Sequence, residues 1–257
     1  MTQLEDLTDE QMERYARHLV LPEVEEDGQL RLLNSSVLVI GAGGLGSPLL
    51  LYLAAAGVGT IGIVDDDSVE RSNLQRQIVH SEESLGTTKV ASAQKRLQAL
   101  NPDLRIVIHE TRITADNAQE IIADYDLVAD GCDTIATRYV LNDACFARKK
   151  TLVSAAILRF DGQITTIKAH EPGNNPCYRC LFGNDQPDGR DSCADVGVFG
   201  ALAGTMGSLQ AVEVIKELLG IGTSLSGRLM LYSALDAQFH SMNTRRDPAC
   251  PVCGGVE

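Results

Sequence analysis

A short turn, Gly41-Ala42-Gly43-Gly44-Leu45-Gly46, constrains this chain more than any other stretch of it. It follows the apolar run Val37-Leu38-Val39-Ile40 and leads into Leu49-Leu50-Leu51-Tyr52-Leu53-Ala54-Ala55-Ala56, which has the composition of a buried helix. A buried strand that passes through glycines into a helix is the context in which G-x-G-x-x-G signals a bound nucleotide. Without side chains the backbone N–H groups can approach a phosphate, and the helix turns its positive end toward that anion.

The same alternation continues along the chain. Strands are expected near residues 37–40, 60–64, 105–108, 126–129 and 151–156. Helices between them are marked by Val90, Ala93, Leu97 and Leu100 at helical spacing and by the stretch from Arg138 to Arg148. This order predicts an α/β fold, a doubly wound, Rossmann-like and mostly parallel sheet. Upstream, Thr8-Asp9-Glu10-Gln11 has the form of a capping box and opens a helix carrying Arg14, Tyr15, Arg17 and His18, with Pro22 beyond its end. A second short helix is expected near Gln29 to Leu33. Past Leu158, the runs Gln163 to Lys168 and Arg228 to Tyr232 predict strands that extend the sheet antiparallel. Between them, Pro172 to Gly197 is a long segment rich in Gly, Pro, Asn, Asp and Cys, a kind of loop that usually carries function. Ala201 to Leu219 predicts a buried helix in which Gly204 and Gly207 permit close packing. The whole chain, 1–257, is expected to form one domain: N-terminal helices over 1–35, a nucleotide-binding half over 36–157, and a second half over 158–257.

Composition narrows the possible functions. With 257 residues, 44% of them hydrophobic, the chain can bury a substantial core. The N-terminus is acidic and lacks a signal core, and no stretch approaches the roughly 20 apolar residues of a membrane span. A soluble, cytoplasmic protein is therefore expected, with no membrane partner. A net charge of -13 opposes a nucleic-acid surface, which needs accumulated Lys and Arg.

Asp65, at the end of the second strand, could accept hydrogen bonds from a ribose, as in a nicotinamide enzyme. Downstream, however, stand Arg71, Arg76 and Lys89, more cationic charge than a dinucleotide pyrophosphate requires and suited to a triphosphate. The fourth strand ends in Asp130-Gly131-Cys132-Asp133, which places Asp133 at the carboxyl edge of the sheet, in position either to hold Mg²⁺ or to cap the next helix. Of seven cysteines, Cys177/Cys180 and Cys250/Cys253 form two C-x-x-C pairs with the spacing of one closed, structural zinc site that clamps the C-terminus to the body. The alternative, a pair of redox dithiols, is disfavoured because both pairs lie in Pro/Gly-rich turns. Cys132 and Cys145 are expected to be small buried hydrophobes.

The glycine turn, the string Ser72-Asn73-Leu74-Gln75-Arg76-Gln77, Lys89, Asp133 and the two cysteine pairs together resemble the ThiF/MoeB/HesA family of ubiquitin-activating-like adenylyltransferases. The resemblance runs from Arg14-Tyr15-Ala16-Arg17 to Cys250-Pro251-Val252-Cys253. It implies an enzyme that uses ATP and Mg²⁺ to convert the C-terminal Gly-Gly carboxylate of a small β-grasp sulfur carrier, ThiS-like or MoaD-like, into an acyl-adenylate in thiamine or molybdopterin biosynthesis. Pyrophosphate is released, and sulfur comes from a separate donor protein. The second half then becomes the carrier-binding half. Nucleotide contacts are implied for Gly41, Gly43, Gly44, Gly46, Asp65, Ser72, Asn73, Leu74, Gln75, Arg76, Lys89, Asp133 and Thr134. Arg76 and Lys89 would neutralise charge on the phosphates, Asn73 would contact phosphate or metal, Asp65 the ribose, and Asp133 Mg²⁺. Arg17 would reach across a homodimer interface into the neighbouring site. Cys193 matches the family cysteine that can take the activated acyl group, although Asp191 and Asp195 beside it would make it a poorer nucleophile. Two positions depart from the family pattern: Thr134 replaces an asparagine, and His18 stands where glutamine is usual. The alternatives are a nicotinamide oxidoreductase and a zinc-stabilised module without catalysis.

Overall fold

A computed structural model describes residues 4–183 and 197–255. Strands β1 (Ser36–Ile40), β2 (Thr60–Val64), β3 (Arg105–His109), β4 (Leu127–Asp130) and β5 (Thr151–Leu158) lie parallel, and β6 (Asp161–Ile167), β7 (Arg228–Ser233) and β8 (Gln238–Asn243) continue the sheet antiparallel. The order is β3-β2-β1-β4-β5-β6-β7-β8. After β1 the chain builds outward through β2 and β3, then returns to the other side of β1 as β4. A crevice therefore opens where the carboxyl ends of β1 and β4 diverge, the point at which such sheets bind ligands.

Alternation along each strand divides the core between two faces. Val37 and Val39 of β1 pack with helices α3 (Gly46–Ala56), α4 (Lys89–Leu100) and α8 (Gly200–Leu219). Leu38 and Ile40 pack with α5 (Ala118–Ala123), α6 (Ile135–Ala147) and α7 (Tyr178–Phe182). Helices α1 (Asp9–Leu19) and α2 (Glu25–Leu33) precede the sheet. Thr8 caps α1 by accepting from the Gln11 N–H while the Gln11 side chain accepts from the Thr8 N–H, the reciprocal pair its sequence predicts.

Expected strands and helices fall within a few residues of these bounds, and three elements were not anticipated. Helix α5 and helix α7 span only six and five residues, too few to show a period. Strand β8 is exposed along its whole length and so carries no alternation of apolar and polar residues. The expectation for α8 is half corrected. A Cβ on Gly207 would come within 2.4 Å of the Leu45 carbonyl, whereas one on Gly204 meets nothing within 4 Å. Among the described residues, no helix is long and apolar enough to cross a membrane.

Candidate active site

The crevice is built by backbone before any side chain enters. The Gly41 N–H donates to the Val64 carbonyl and the Gly131 N–H to that of Ile40, so the turns after β1 and β4 sit side by side. Gly41 takes a positive φ of 90°, and a Cβ on Gly46 would lie 1.9 Å from the Gly41 oxygen, so the turn closes only with glycine at both positions. Helix α3 starts at Gly46 with no side-chain cap, which leaves its first N–H groups directed toward the crevice. Two groups, half-buried Asp65 and buried His80, brace the turn. Asp65 Oδ2 accepts from the Ala42 N–H at 2.8 Å, and its Oδ1 accepts from Asp67 N–H. His80 donates from Nε2 to the Ala42 carbonyl and accepts at Nδ1 from the Ser92 hydroxyl. Burial holds the His80 pKa below its ordinary value, with the Ala42 carbonyl opposing, so the imidazole is neutral. Burial raises the Asp65 carboxyl, and Lys89 and the two N–H donors pull it back.

A cavity of about 400 Å³ fills this crevice, lined by Gly41, Gly43, Gly44, Asp65, Arg76, Lys89, Asp133 and Thr134 among others. The sequence places these residues on five separate segments, and the fold brings them to one edge. Gly44 packs beside the stem of Arg76, whose guanidinium donates to the Ser72 carbonyl. Lys89 is 8% exposed at its side chain and paired with Asp67 at 2.8 Å. Four acids line the cavity. Asp65 is occupied by two N–H donors, Asp66 by Arg112 and Asp67 by Lys89. Asp133 is exposed and, among the described residues, makes no hydrogen bond or ion pair. It is not a helix cap either: Thr134 holds that position in α6, and its hydroxyl bonds to Thr137 at 2.6 Å. A lone solvent-facing carboxylate opposite a phosphate turn fits Mg²⁺, which takes one or two carboxylates and keeps water and phosphate oxygens as its other ligands.

Other sequence-predicted residues stand apart from this cavity. Ser72, Asn73, Leu74 and Gln75 do not line it, and the Asn73 side chain closes the preceding turn by accepting from the Glu70 N–H. Gly46 lies just behind the lining. Arg71 pairs with Glu82 at the surface, and beside Arg76 and Lys89 the cavity is lined by Arg112 and Arg138, neither of which the sequence marked as a site residue. Arg17 is exposed on α1, outside the cavity of its own chain. Cys193 lies outside the described residues. Cys145 is buried as expected, but Cys132 is half-buried and lines the cavity. Burial and the neighbouring Asp130 raise its pKa well above the ordinary thiol value, which disfavours the thiolate.

Two features were not among the site residues expected from sequence, although Gln77 ends the string that carries the family resemblance. Gln77 is buried against the cavity with its Oε1 unpartnered. A second cavity of about 650 Å³ adjoins the first and is lined by Tyr139, Tyr178, Phe182, Leu231, Tyr232 and His240 with others from β5 to β8. The two cavities share Asp133, Arg138 and Ile157.

Cys177, Cys180, Cys250 and Cys253 come together with all four sulfurs within 4.8 Å of one another. Individual separations are 3.8 Å for Cys177–Cys180, 3.5 Å for Cys177–Cys250 and 3.4 Å for Cys180–Cys253, with no disulfide. A tetrahedral zinc site with Zn–S bonds of about 2.3 Å has edges of about 3.8 Å, so the donor set fits. Burial raises the Cys177 and Cys253 thiols, the latter to about 12, and the charge of a bound cation would let them ionise. The Asp247 N–H donates to Cys180 Sγ, a further support for thiolate there.

The sequence matches the ThiF family over residues 15–252. The chain belongs to the ThiF family. Among its relatives, a sulfur carrier protein adenylyltransferase from Thermus thermophilus is 51% identical over 96% of this chain and 92% of that protein. A SAMP-activating enzyme E1 from Haloferax volcanii is 48% identical over 95% of this chain and 89% of that protein. A probable adenylyltransferase/sulfurtransferase MoeZ from Mycobacterium tuberculosis is 46% identical, and the match covers 95% of this chain but 63% of that longer protein. The crystal structure of E. coli MccB with ATP superposes with a TM-score of 0.82 over 94% of this chain and 73% of that one, at 22% identity, a likeness of fold. In this ThiF-family chain, then, the fold brings a glycine turn, four lysine/arginine cations and an acid unpartnered among the described residues to one crevice.

Proposed function

We propose that this ThiF-family chain is an ATP-dependent adenylyltransferase that activates the C-terminal Gly-Gly carboxylate of a small β-grasp sulfur carrier. The observation that carries this is the meeting of two cavities at Asp133, one lined by the glycine turn and cations, the other by aromatic side chains. ATP occupies the first, and the carrier's extended tail enters through the second. A carboxylate oxygen then forms a bond to the α-phosphorus as the bond to the bridging oxygen of the β-phosphate breaks, and pyrophosphate leaves with that electron pair. Both reacting partners are anions, so Arg76 and Lys89 act by offsetting charge that grows on the phosphate oxygens. Gly41, Gly43 and Gly44 admit the phosphates to the backbone, and the uncapped start of α3 at Gly46 adds its dipole. Asp65 retains lone pairs for the ribose and Thr134 lines the nucleotide's cavity, while Ser72, Asn73, Leu74 and Gln75 stand outside it in the loop that carries Arg76, whose guanidinium donates to the Ser72 carbonyl. Asp133 would hold Mg²⁺, which when bound lowers the charge on the phosphate oxygens. A nicotinamide reading leaves Arg76 and Lys89 without a task.

The four cysteines hold structural Zn²⁺, leaving no open coordination position and thus no catalytic role for the metal. The chain acts in the cytoplasm as a homodimer in which Arg17 of each subunit reaches the partner's nucleotide, since α1 exposes it away from its own cavity. Cys193 accepts the activated acyl group as a thioester while AMP leaves with the electron pair of the broken bond, and the sulfur itself is supplied by a separate donor protein. The whole chain is one adenylation domain whose half from 158 onward binds the carrier. ThiS-like carriers, for thiamine, and MoaD-like carriers, for molybdopterin, are both of the right chemistry. Exchange of labelled pyrophosphate into ATP, measured with each purified carrier, tests the proposal. Exchange is expected with a Gly-Gly-ended carrier and none with a carrier lacking its last residue; exchange that ignores the carrier, or none with any, would overturn it.

A further inference from the structure

Arg138 has no place in the adenylation chemistry above, yet it stands in the wall between the two cavities. It begins the second turn of α6 and points back under the sheet edge, 6% exposed at its side chain. Its Nη1 donates to Asp130 Oδ2 at 3.0 Å, to Ser154 Oγ at 3.3 Å and to the Ala155 carbonyl at 2.7 Å, and its Nη2 donates to the Cys132 carbonyl. Ser154 in turn donates to Asp130 Oδ2 at 2.7 Å. One guanidinium thereby ties together the end of β4, the middle of β5 and the loop that follows β4. Asp130 reinforces the same loop from its other oxygen, which accepts from the Cys132 N–H at 3.0 Å.

A buried ion pair is expensive to assemble and is weak evidence for stability as such, so its retention calls for another reason. Cys132 offers its carbonyl to Arg138 and its N–H to Asp130, so the residue before Asp133 is held at both ends of its backbone. Asp133 itself is the one acid of the nucleotide cavity with no partner among the described residues, and nothing but this backbone fixes its direction. We propose that Arg138 is a positioning residue: through the Cys132 carbonyl and Asp130 it holds the 131–134 loop so that Asp133 presents its carboxylate to a magnesium-bound nucleotide at the junction of the two cavities. This rests on the assignment of Asp133 to Mg²⁺ proposed above. Lysine cannot replace the arginine, because a single ammonium cannot span the Asp130 carboxylate and the Cys132 carbonyl with the same fork.

Titration of ATP into the full chain by calorimetry, with Mg²⁺ and again with EDTA, separates this role from a merely structural one. Arg138→Lys is expected to bind ATP in EDTA within about twofold of the parent while the gain in affinity on adding Mg²⁺ falls at least about fivefold. Asp133→Asn is expected to lose the same gain, and the double variant to lose no more than either single one, because the two residues act as a unit. Ser154→Ala, a smaller change that loosens the Asp130–Arg138 pair, is expected to lower the gain by about two- to threefold while ATP binding in EDTA stays within about twofold of the parent. If Arg138→Lys keeps the full magnesium gain, or loses it independently of Asp133→Asn, the positioning role is wrong while the Asp133 assignment stands. If Asp133→Asn itself keeps the gain, the Asp133 assignment fails and takes this inference with it. Should Arg138→Lys not fold, Ser154→Ala decides, and an unchanged magnesium gain in it overturns the proposal.

Discussion

Lys89 illustrates how a side chain can serve two states of one site. It is paired with Asp67 and nearly out of contact with solvent, so a phosphate competes with that carboxylate for it. Lys89→Ala and Arg76→Ala should each lower the pyrophosphate-exchange kcat by about 10²–10³-fold, the scale found when one group that stabilises developing charge is removed. Asp67→Asn should instead tighten ATP, since it frees the lysine; weaker ATP binding by calorimetry would show that the pair preorganises Lys89. His80 permits a pH test. Burial keeps its folded pKa low, so between that value and the ordinary one of about 6.5 the unfolded chain binds more protons and stability falls as pH falls. His109 and His170 are shifted in the same direction, again chiefly by burial, so the informative quantity is a difference. His80→Gln should show a smaller drop in urea midpoint between pH 7.5 and pH 5.5 than the parent does; equal drops would remove His80 as the source.

Elements differ in how clearly their sequence announces them. Strand β1 and helix α3 were legible because a buried strand, a glycine turn and a buried helix each leave a local mark. Helix α8 was legible as a helix, but the use of its two central glycines was not, since spacing cannot say what stands opposite. Gly207 faces the Leu45 carbonyl and Pro48 Cγ, the latter 2.5 Å from where a Cβ would be, while Gly204 faces open space. Gly207→Ala should therefore destabilise by about 1–3 kcal/mol through overpacking. Gly204→Ala should stabilise by about 0.5–1 kcal/mol, because alanine loses less backbone entropy than glycine in a helix. Urea unfolding of the two variants checks this, and equal signs would contradict the packing seen here.

At the scale of the whole molecule, the cysteine pairs join α7 to the C-terminal turn across 73 residues of sequence. α7 supplies Tyr178 and Phe182 to the second cavity, so the four-cysteine cluster, proposed above to hold zinc, supports the place where the carrier tail is proposed to enter. Removing the metal with a strong chelator should lower the thermal midpoint and weaken carrier binding while leaving ATP affinity in place; unchanged carrier binding would uncouple the two regions. The proposed dimer makes a further prediction. Arg17→Ala and Asp133→Asn subunits, each inactive alone, should regain about a quarter of parental exchange when reassorted, because half the dimers are mixed and each mixed dimer has one intact site. No recovery would place Arg17 outside the partner's site. Along the chain, local pattern alone pointed to the parallel sheet, the glycine turn, Arg76 and Lys89 near it and the four cysteines that meet, because strand period, glycine freedom and C-x-x-C spacing act over a few residues. Only the folded chain decided that Arg112 rather than Arg71 lines the cavity, and that Cys132, Arg138 and Gln77 line it too. Those outcomes depend on which segments meet at the sheet edge and which charges find partners there, and such contacts span the chain rather than recur along it.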